Sequence, residues 1–232
     1  MPDSSRPLPT SPRPWPEALR PVIWAVLALL TTAAPASAQW RVEGWFGDAL
    51  NLRTPLTIEQ EGEPDLRIDA DWSTRPWRPT WYYSARVAKW SGNSGWALEY
   101  MHHKIYLDNP SAEVVRFRIT NGVNNLLVER HWRRSHWEFG VGAGPALAVP
   151  ISTVRGKSYG ESKGIFGSRY DLSGATLMGT VSRRVKLLPY TYGSLAIKAT
   201  LTHLDVPVAD GRARLNNVAL HFQYGMSLQS KP

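Results

Sequence analysis

The chain has 232 residues, a formal net charge of +8, eleven tryptophans and no cysteine. That length suits one ordinary domain. The missing cysteines exclude a disulfide-stapled scaffold and thiolate zinc sites, so rigidity must come from another source.

The N-terminus reads as a targeting segment. A Pro-rich opening with Arg13 and Arg20 precedes an apolar run over 22–34, and Ala36-Ser37-Ala38 supplies small residues at a cleavage position. The run falls short of the roughly 20 residues that a spanning helix needs. The expectation is a cleaved secretory signal peptide over 1–38 and one folded unit over 39–232. No later apolar run is long enough for a membrane helix.

From there the dominant signal is alternation with period two. In TWYYSARVAKW, Trp81, Tyr83, Ala85 and Val87 alternate with Tyr82, Ser84, Arg86 and Ala88. In GWALEYMHHKIYL, Trp96, Leu98 and Tyr100 oppose Ala97, Glu99 and Met101. EVVRFRIT sets Val115, Phe117 and Ile119 against Arg116, Arg118 and Thr120. HWEFGVGAG, the segment around Leu195–Leu201 and the final stretch Val218–Leu228 alternate in the same way. The pattern predicts strands over 41–50, 79–90, 95–104, 114–130, 136–149, 170–185, 190–203 and 213–228.

These segments are longer than soluble strands usually are, at about 5–6 residues, and match the ~9–11 residues of a tilted membrane-spanning strand. Charges fall mid-strand on the polar face, and tryptophans and tyrosines gather near strand ends, where interfacial rings belong. Closure satisfies every backbone polar group in hydrocarbon without cysteines or a large apolar core. The expected fold is therefore all-β: an eight-stranded antiparallel transmembrane β-barrel with a polar, plugged interior. A soluble periplasmic β domain is the competing architecture.

Turns near Gly92-Asn93, Arg133-Arg134 and Leu187-Leu188 are expected at the periplasmic end. The segment over 51–78, with a strand-like stretch from Leu66 to Ala70, is expected as an external loop. So are the turn Asp108-Asn109-Pro110 and the basic, glycine-rich loop over 150–169.

The architecture, with the segments EYMHHKIYL and FRITNGVNNL, resembles the small outer-membrane β-barrel proteins of Gram-negative bacteria. That class includes OmpA-like, OmpW-like and lipid A-modifying barrels. The resemblance implies an outer-membrane location, contact with outer-membrane lipids and lipopolysaccharide, and folding by the barrel-assembly machinery. It carries over no catalytic residue. His103 is followed by Lys104 where the deacylase type has Ser-Asn, and the palmitoyltransferase cluster of His, Asp and Ser has no counterpart.

The candidate residues follow from face parity. Glu43, Arg86, Glu99, Arg116, Arg118, Glu138 and Lys198 are expected to share the interior and to pair, because isolated buried charges are costly. By period two His103 shares the face of Glu99 while His102 points the other way. His103 and Asp108 form a possible rim site, and an enzyme would need Ser94 or Ser111 beside them. Arg155, Lys157, Lys163 and Arg169 are candidate lipopolysaccharide contacts. No catalytic set, metal site, cofactor or nucleic-acid module is read from the sequence. The Gly140–Pro145 stretch lacks the Lys and Ser/Thr of a phosphate loop. The leading expectation is a non-catalytic structural or interaction protein of the envelope. The alternatives are a lipid A- or phospholipid-modifying enzyme and a narrow small-solute channel.

Overall fold

A computed structural model describes residues 38–78, 81–160 and 170–231. The expected signal peptide lies outside the described residues except for Ala38, and so do Lys163 and Arg169. No helix among the described residues is long and apolar enough to cross a membrane.

The described residues form long strands β1 (Gln39–Asn51), β5 (Tyr83–Ser91), β6 (Ser94–Leu107), β7 (Val114–Arg134), β8 (Trp137–Ala148), β11 (Asp171–Leu188), β12 (Thr191–Val208) and β13 (Gly211–Gln229). Five short strands complete the set: β2 (Thr54–Gln60), β3 (Leu66–Ala70), β4 (Trp72–Ser73), β9 (Ile151–Val154) and β10 (Lys157–Tyr159). All belong to one sheet. Antiparallel pairings run β7–β8–β11–β12–β13–β1–β5–β6, and β6 also pairs with β7, from Ser94↔Trp132 to Tyr106↔Arg118.

The short strands continue edges that the long ones leave. Strand β13 pairs with β1 as far as Asn51↔Ala219, then with β2 from Leu56↔Leu215 to Gly211↔Gln60. Strand β7 pairs with β8 through its C-terminal part and with β9 near Val114↔Val154. Strand β6 passes from β5 to β4 at Trp72↔Leu107. The described parts of 51–78 and 150–169, expected as loops, therefore pair as an extension of the sheet, whereas Asp108-Asn109-Pro110 stays outside the strands as expected. Leu56 and Ile58 are fully buried in β2, and the expected stretch Leu66–Ala70 is β3.

Tight two-residue turns join the hairpins at Gly92-Asn93, Ser135-His136, Pro189-Tyr190, Arg155-Gly156 and Ala209-Asp210. Ser135, Arg155, Tyr190 and Asp210 have positive φ, as hairpins that match the strand twist require. Two turns lie beyond their expected positions because β7 continues through Arg134 and β11 through Leu188. Turns 92–93, 135–136 and 189–190 share one end of the sheet with Gln39 and Gln229, hereafter the turn end.

One face of the sheet folds over itself. Arg41 on β1 meets Glu138 on β8, and Lys198 on β12 meets Glu99 on β6, although neither pair of strands is adjacent. The composition of this enclosed face changes along the strands. On β12 the buried residues Ser194, Lys198, Thr200 and Thr202 are polar, but Leu204, Val206 and Val208 are apolar. On β13 the change falls between Leu215 and Asn217. The outward residues change in the opposite sense, from Leu195, Ile197 and Leu201 to His203 and Asp205, and from Phe222 and Tyr224 to Arg214 and Arg212. Parity never breaks on either strand; only the polarity inverts.

Two expectations are corrected here. Among the described residues, thirteen strands in one sheet replace the eight-stranded barrel. The enclosed space is not uniformly polar: the extension holds an apolar core that includes Leu56, Ile58, Trp72, Phe117, Ile119, Val154, Leu204 and Leu215. The physical reason is the same for both. Loop segments with alternating Leu and Ile can bury apolar surface only by joining the sheet, and once joined they fill its enclosed face.

Candidate functional site

The enclosed face has three layers. Nearest the turn end is a charged layer. Arg41 grips Glu138 with both terminal nitrogens, Nη1 to Oε2 at 2.7 Å and Nη2 to Oε1 at 3.1 Å. This is the planar fork that makes arginine–carboxylate pairs directional. Arg133 and Arg184 approach Glu138 Oε1 at 3.1 and 3.0 Å. Arg86 donates from Nε to Glu43 at 2.5 Å and lies 3.3 Å from Glu129 and 3.9 Å from Glu99. Lys198 pairs with Glu99, and His131 with Glu129. Tryptophans support the layer, with the Arg41 and Arg133 guanidiniums both 4.5 Å from the ring centre of Trp90.

A neutral polar layer follows. Tyr82 Oη and His221 Nδ1 are 2.9 Å apart, Thr200 Oγ1 and His221 Nε2 2.8 Å, and Thr74 Oγ1 and His103 Nε2 3.1 Å. The His103 and His221 rings meet edge to face at 4.8 Å. Gln223 donates from Nε2 to Tyr82 Oη at 2.6 Å, and Thr176 donates to Asn125 Oδ1 at 2.6 Å. The third layer is the apolar core of the extension.

Of the residues expected to share the interior, Glu43, Arg86, Glu99, Glu138 and Lys198 sit in the charged layer. Arg116 and Arg118 do not. Arg116 is exposed and donates to Thr153, while Arg118 is half-buried opposite Ile151. Phe117 and Ile119 take the enclosed positions instead, and Val115 is 60% exposed. This part of β7 belongs to the extension, where apolar residues go inward. A register irregularity between Val114 and Arg116 also turns Val115 outward. Alternation alone could have found Arg41, which shares the parity of Glu43. Glu129 and His131 required the outward and inward faces of β7 to be assigned correctly.

His103 is enclosed, as parity predicts. His102 is on the opposite side but is not exposed to lipid or water: it stacks on Tyr83 at 5.3 Å, and its Nδ1 lies 2.8 Å from Asn124 Oδ1. Its ring also lies over Gly122, whose φ is +87°. A Cβ there would fall 2.2 Å from His102 Cε1. Gly122→Ala is expected to cost about 1–2 kcal/mol from the left-handed backbone alone, with ring displacement adding to it. Gly44→Ala, with no neighbour within 4 Å of the added carbon, should be neutral. Thermal midpoints of the folded band on gels check the pair.

The residues of the expected rim site have separate partners. Asp108 is exposed and bound by Arg75 Nη2 at 2.6 Å, whereas His103 is bonded to Thr74. Ser94 starts β6 at the turn end and accepts from Arg130, and Ser111 accepts from the Val114 amide. No group of three or more His, Cys, Asp or Glu among the described residues could hold a metal.

Several cations of the extension are matched by acids. Arg155 pairs with Glu113 at 2.9 Å, Lys157 with Asp210 at 2.8 Å, Arg212 with Asp205 at 2.7 Å and Arg53 with Asp71 at 2.9 Å. Arg214 pairs with Glu59. The Asp210 carboxylate raises the Lys157 pKa above its ordinary value by hydrogen bonding and charge attraction.

No protein-family model matches the chain, and no curated protein matches it. Among solved structures it is similar to the outer membrane protein AlkL in lipid bilayers, with 12% identity over 87% of this chain and 94% of that one, and a TM-score of 0.47. It is also similar to OprG of Pseudomonas aeruginosa, with 9% identity over 86% and 99% of the chains and a TM-score of 0.44. Neisserial surface protein A shows 8% identity over 83% and 97%, with a TM-score of 0.38.

Proposed function

We propose that this sheet crosses the outer membrane of a bacterial envelope and serves there as a non-catalytic structural or interaction protein. The observation that carries the reading is the inversion of polarity along β12 and β13 at constant parity. Apolar residues face outward beside a charged interior, then inward beneath a charged exterior. A protein wholly in water would have no reason to expose Leu195, Ile197, Phe222, Tyr224, Met226 and Leu228 together while enclosing Lys198 and Glu99.

The dimension agrees. The outward apolar run from Val218 to Leu228 spans ten residue steps. At about 3.3 Å each and a tilt near 40° it covers roughly 25 Å, the height of the apolar band of outer-membrane strands. Trp40, Trp96, Trp132, Trp137 and Tyr190 are partly exposed at its turn-end border, where amphipathic rings sit in a headgroup region. The turn end would face the periplasm and the extension the outside. The paired charges and long side chains fill the enclosed space, which favours a plug over a solute path. Lipopolysaccharide binding at Arg155 and Lys157 would have to compete with Glu113 and Asp210, and the barrel-assembly machinery would insert the chain.

The test is envelope fractionation with gels of boiled and unboiled protein. The expected result is outer-membrane location with a heat-dependent mobility shift. A soluble periplasmic protein with no shift would overturn the reading. Planar bilayers holding the purified protein should show no unitary conductance, and a steady conductance would overturn the plug.

A further inference from the structure

The two ends of the sheet treat charge differently. In the extension Arg53, Arg75, Arg155, Lys157, Arg212 and Arg214 are paired with acids, and Glu61, Glu63, Asp65 and Asp69 add exposed negative charge. Around the turn end, over 39–45, 86–98, 128–141, 181–196 and 224–231, the only acids are Glu43, Glu129 and Glu138, and all three are buried. Arg134, Arg183, Lys186 and Lys231 are exposed there, and Arg130 and Arg184 are half-buried.

Several of these cations sit over the aromatic border. The Arg183 guanidinium is 5.7 Å from the centre of Trp137, Arg130 is 5.2 Å from Trp96, and Arg184 is 4.5 Å from Tyr192. An aromatic face holds a cation without neutralising it, so the charges of Arg183 and Arg130 stay available to an anion, whereas Arg184 is also paired with Glu138. Between the 135–136 and 189–190 turns lies a pocket of about 400 Å³ lined by Arg133, His136, Arg183, Arg184, Lys186 and Tyr192. Its one acid, Glu138, is shared by Arg41, Arg133 and Arg184, which leaves Arg183 and Lys186 without an acid. Arg133 Nη2, shielded from solvent, has no hydrogen-bond acceptor. Val185 and Leu195 continue from this rim into the exposed apolar band.

We infer that the turn-end rim, centred on this pocket, is a docking surface for the headgroups of anionic phospholipids. The inference rests on the membrane reading above. A lipid phosphate would enter among Arg183, Lys186 and Arg133 while its acyl chains lie along Val185 and Leu195. Charge complementarity selects an anion, and continuity with the apolar band selects one that carries chains. The extension, with its ion pairs and its exposed acids, offers no equivalent attraction.

The experiment uses protein purified from the membrane fraction and reconstituted in mixed phosphatidylcholine and phosphatidylglycerol vesicles. The intrinsic tryptophans report which lipid is adjacent when one or the other carries brominated chains. Brominated phosphatidylglycerol should quench at least about threefold more effectively per mole at low salt, and the preference should fade in ~0.5 M salt as the charges are screened. The triple variant R134Q/R183Q/K186Q should lose the preference and keep its heat-dependent gel shift. R53Q/K157Q/R212Q, at the other end, should keep the preference.

Equal quenching by the two lipids in the unaltered protein would overturn the inference and leave the membrane reading standing. So would a preference that survives the triple variant, or one abolished by millimolar inorganic phosphate, which would mark a soluble-phosphate site. Quenching by neither lipid would overturn both.

Discussion

Replacing Arg86 with methionine is expected to lower the stability of the folded sheet by about 3–5 kcal/mol, the usual cost of removing one partner from a buried ionic group. Arg86 is the centre of the charged layer. Its Nε serves Glu43 at 2.5 Å, and its Nη1 lies 3.3 Å from Glu129 and 3.9 Å from Glu99. Methionine keeps much of the volume and removes the charge, leaving three enclosed carboxylates. Arg41 at 3.4 Å remains for Glu43, and Lys198 for Glu99. R86K retains the charge without the planar fork and should lose less. The urea midpoint of protein in vesicles, read by tryptophan fluorescence and the gel shift together, checks both. An unchanged midpoint in R86M would mean that the carboxylates are not held ionised by Arg86. The double variant R86M/E43Q should lose less than the sum of its parts, because the two groups are in contact.

Phe117→Ala should cost a similar amount, about 3–5 kcal/mol, by opening a cavity in a close-packed core. Its consequence should be local. Phe117 is 1% exposed and packs edge-on against Trp72, with ring centres 6.0 Å apart. The core around it is built from β2, β3, β4, β6, β7, β8, β9, β12 and β13 and does not include the charged layer. Limited proteolysis should therefore cut the β9–β10 hairpin and the β2–β3 connection in F117A while the rest of the sheet keeps its heat-dependent mobility. If the two regions failed together at one midpoint, they would form a single cooperative unit. If proteolysis were unchanged, Phe117 would not hold the extension in place.

These two substitutions probe layers that differ in how far the sequence reveals them. Alternation located the eight long strands to within a few residues because every second side chain must satisfy one environment. It also placed Glu43, Glu99, Glu138, Arg86 and Lys198 on one face. The identity of each partner was not legible. Arg41 and Glu138 are 97 residues apart, and Lys198 and Glu99 are 99 apart. Only the stagger of strands β1, β8, β12 and β6 in the folded sheet brings them together.

Arg116 and Arg118 show where parity misleads. Apolar Phe117 and Ile119 read as membrane-facing, which would send the arginines inward. The extension reverses that assignment, and the arginines go out. The switch does leave a trace on three strands. Polar positions become apolar at unchanged parity from Thr202 to Leu204, from Asn217 to Leu215 and from Asn125 back to Ile119. A strand that changes polarity without changing phase passes between two surroundings.

The sequence by itself determined the period, the approximate places of the long strands and, away from the irregularity at Val115, which residues of one strand share a face, because these follow from the backbone's two-residue repeat. The tertiary structure decided which side of each face is enclosed, which charges meet, and that the described parts of 51–78 and 150–169 join the sheet. Those outcomes depend on strand neighbours far apart in the chain, and on where along each strand the enclosed space passes from charged to apolar.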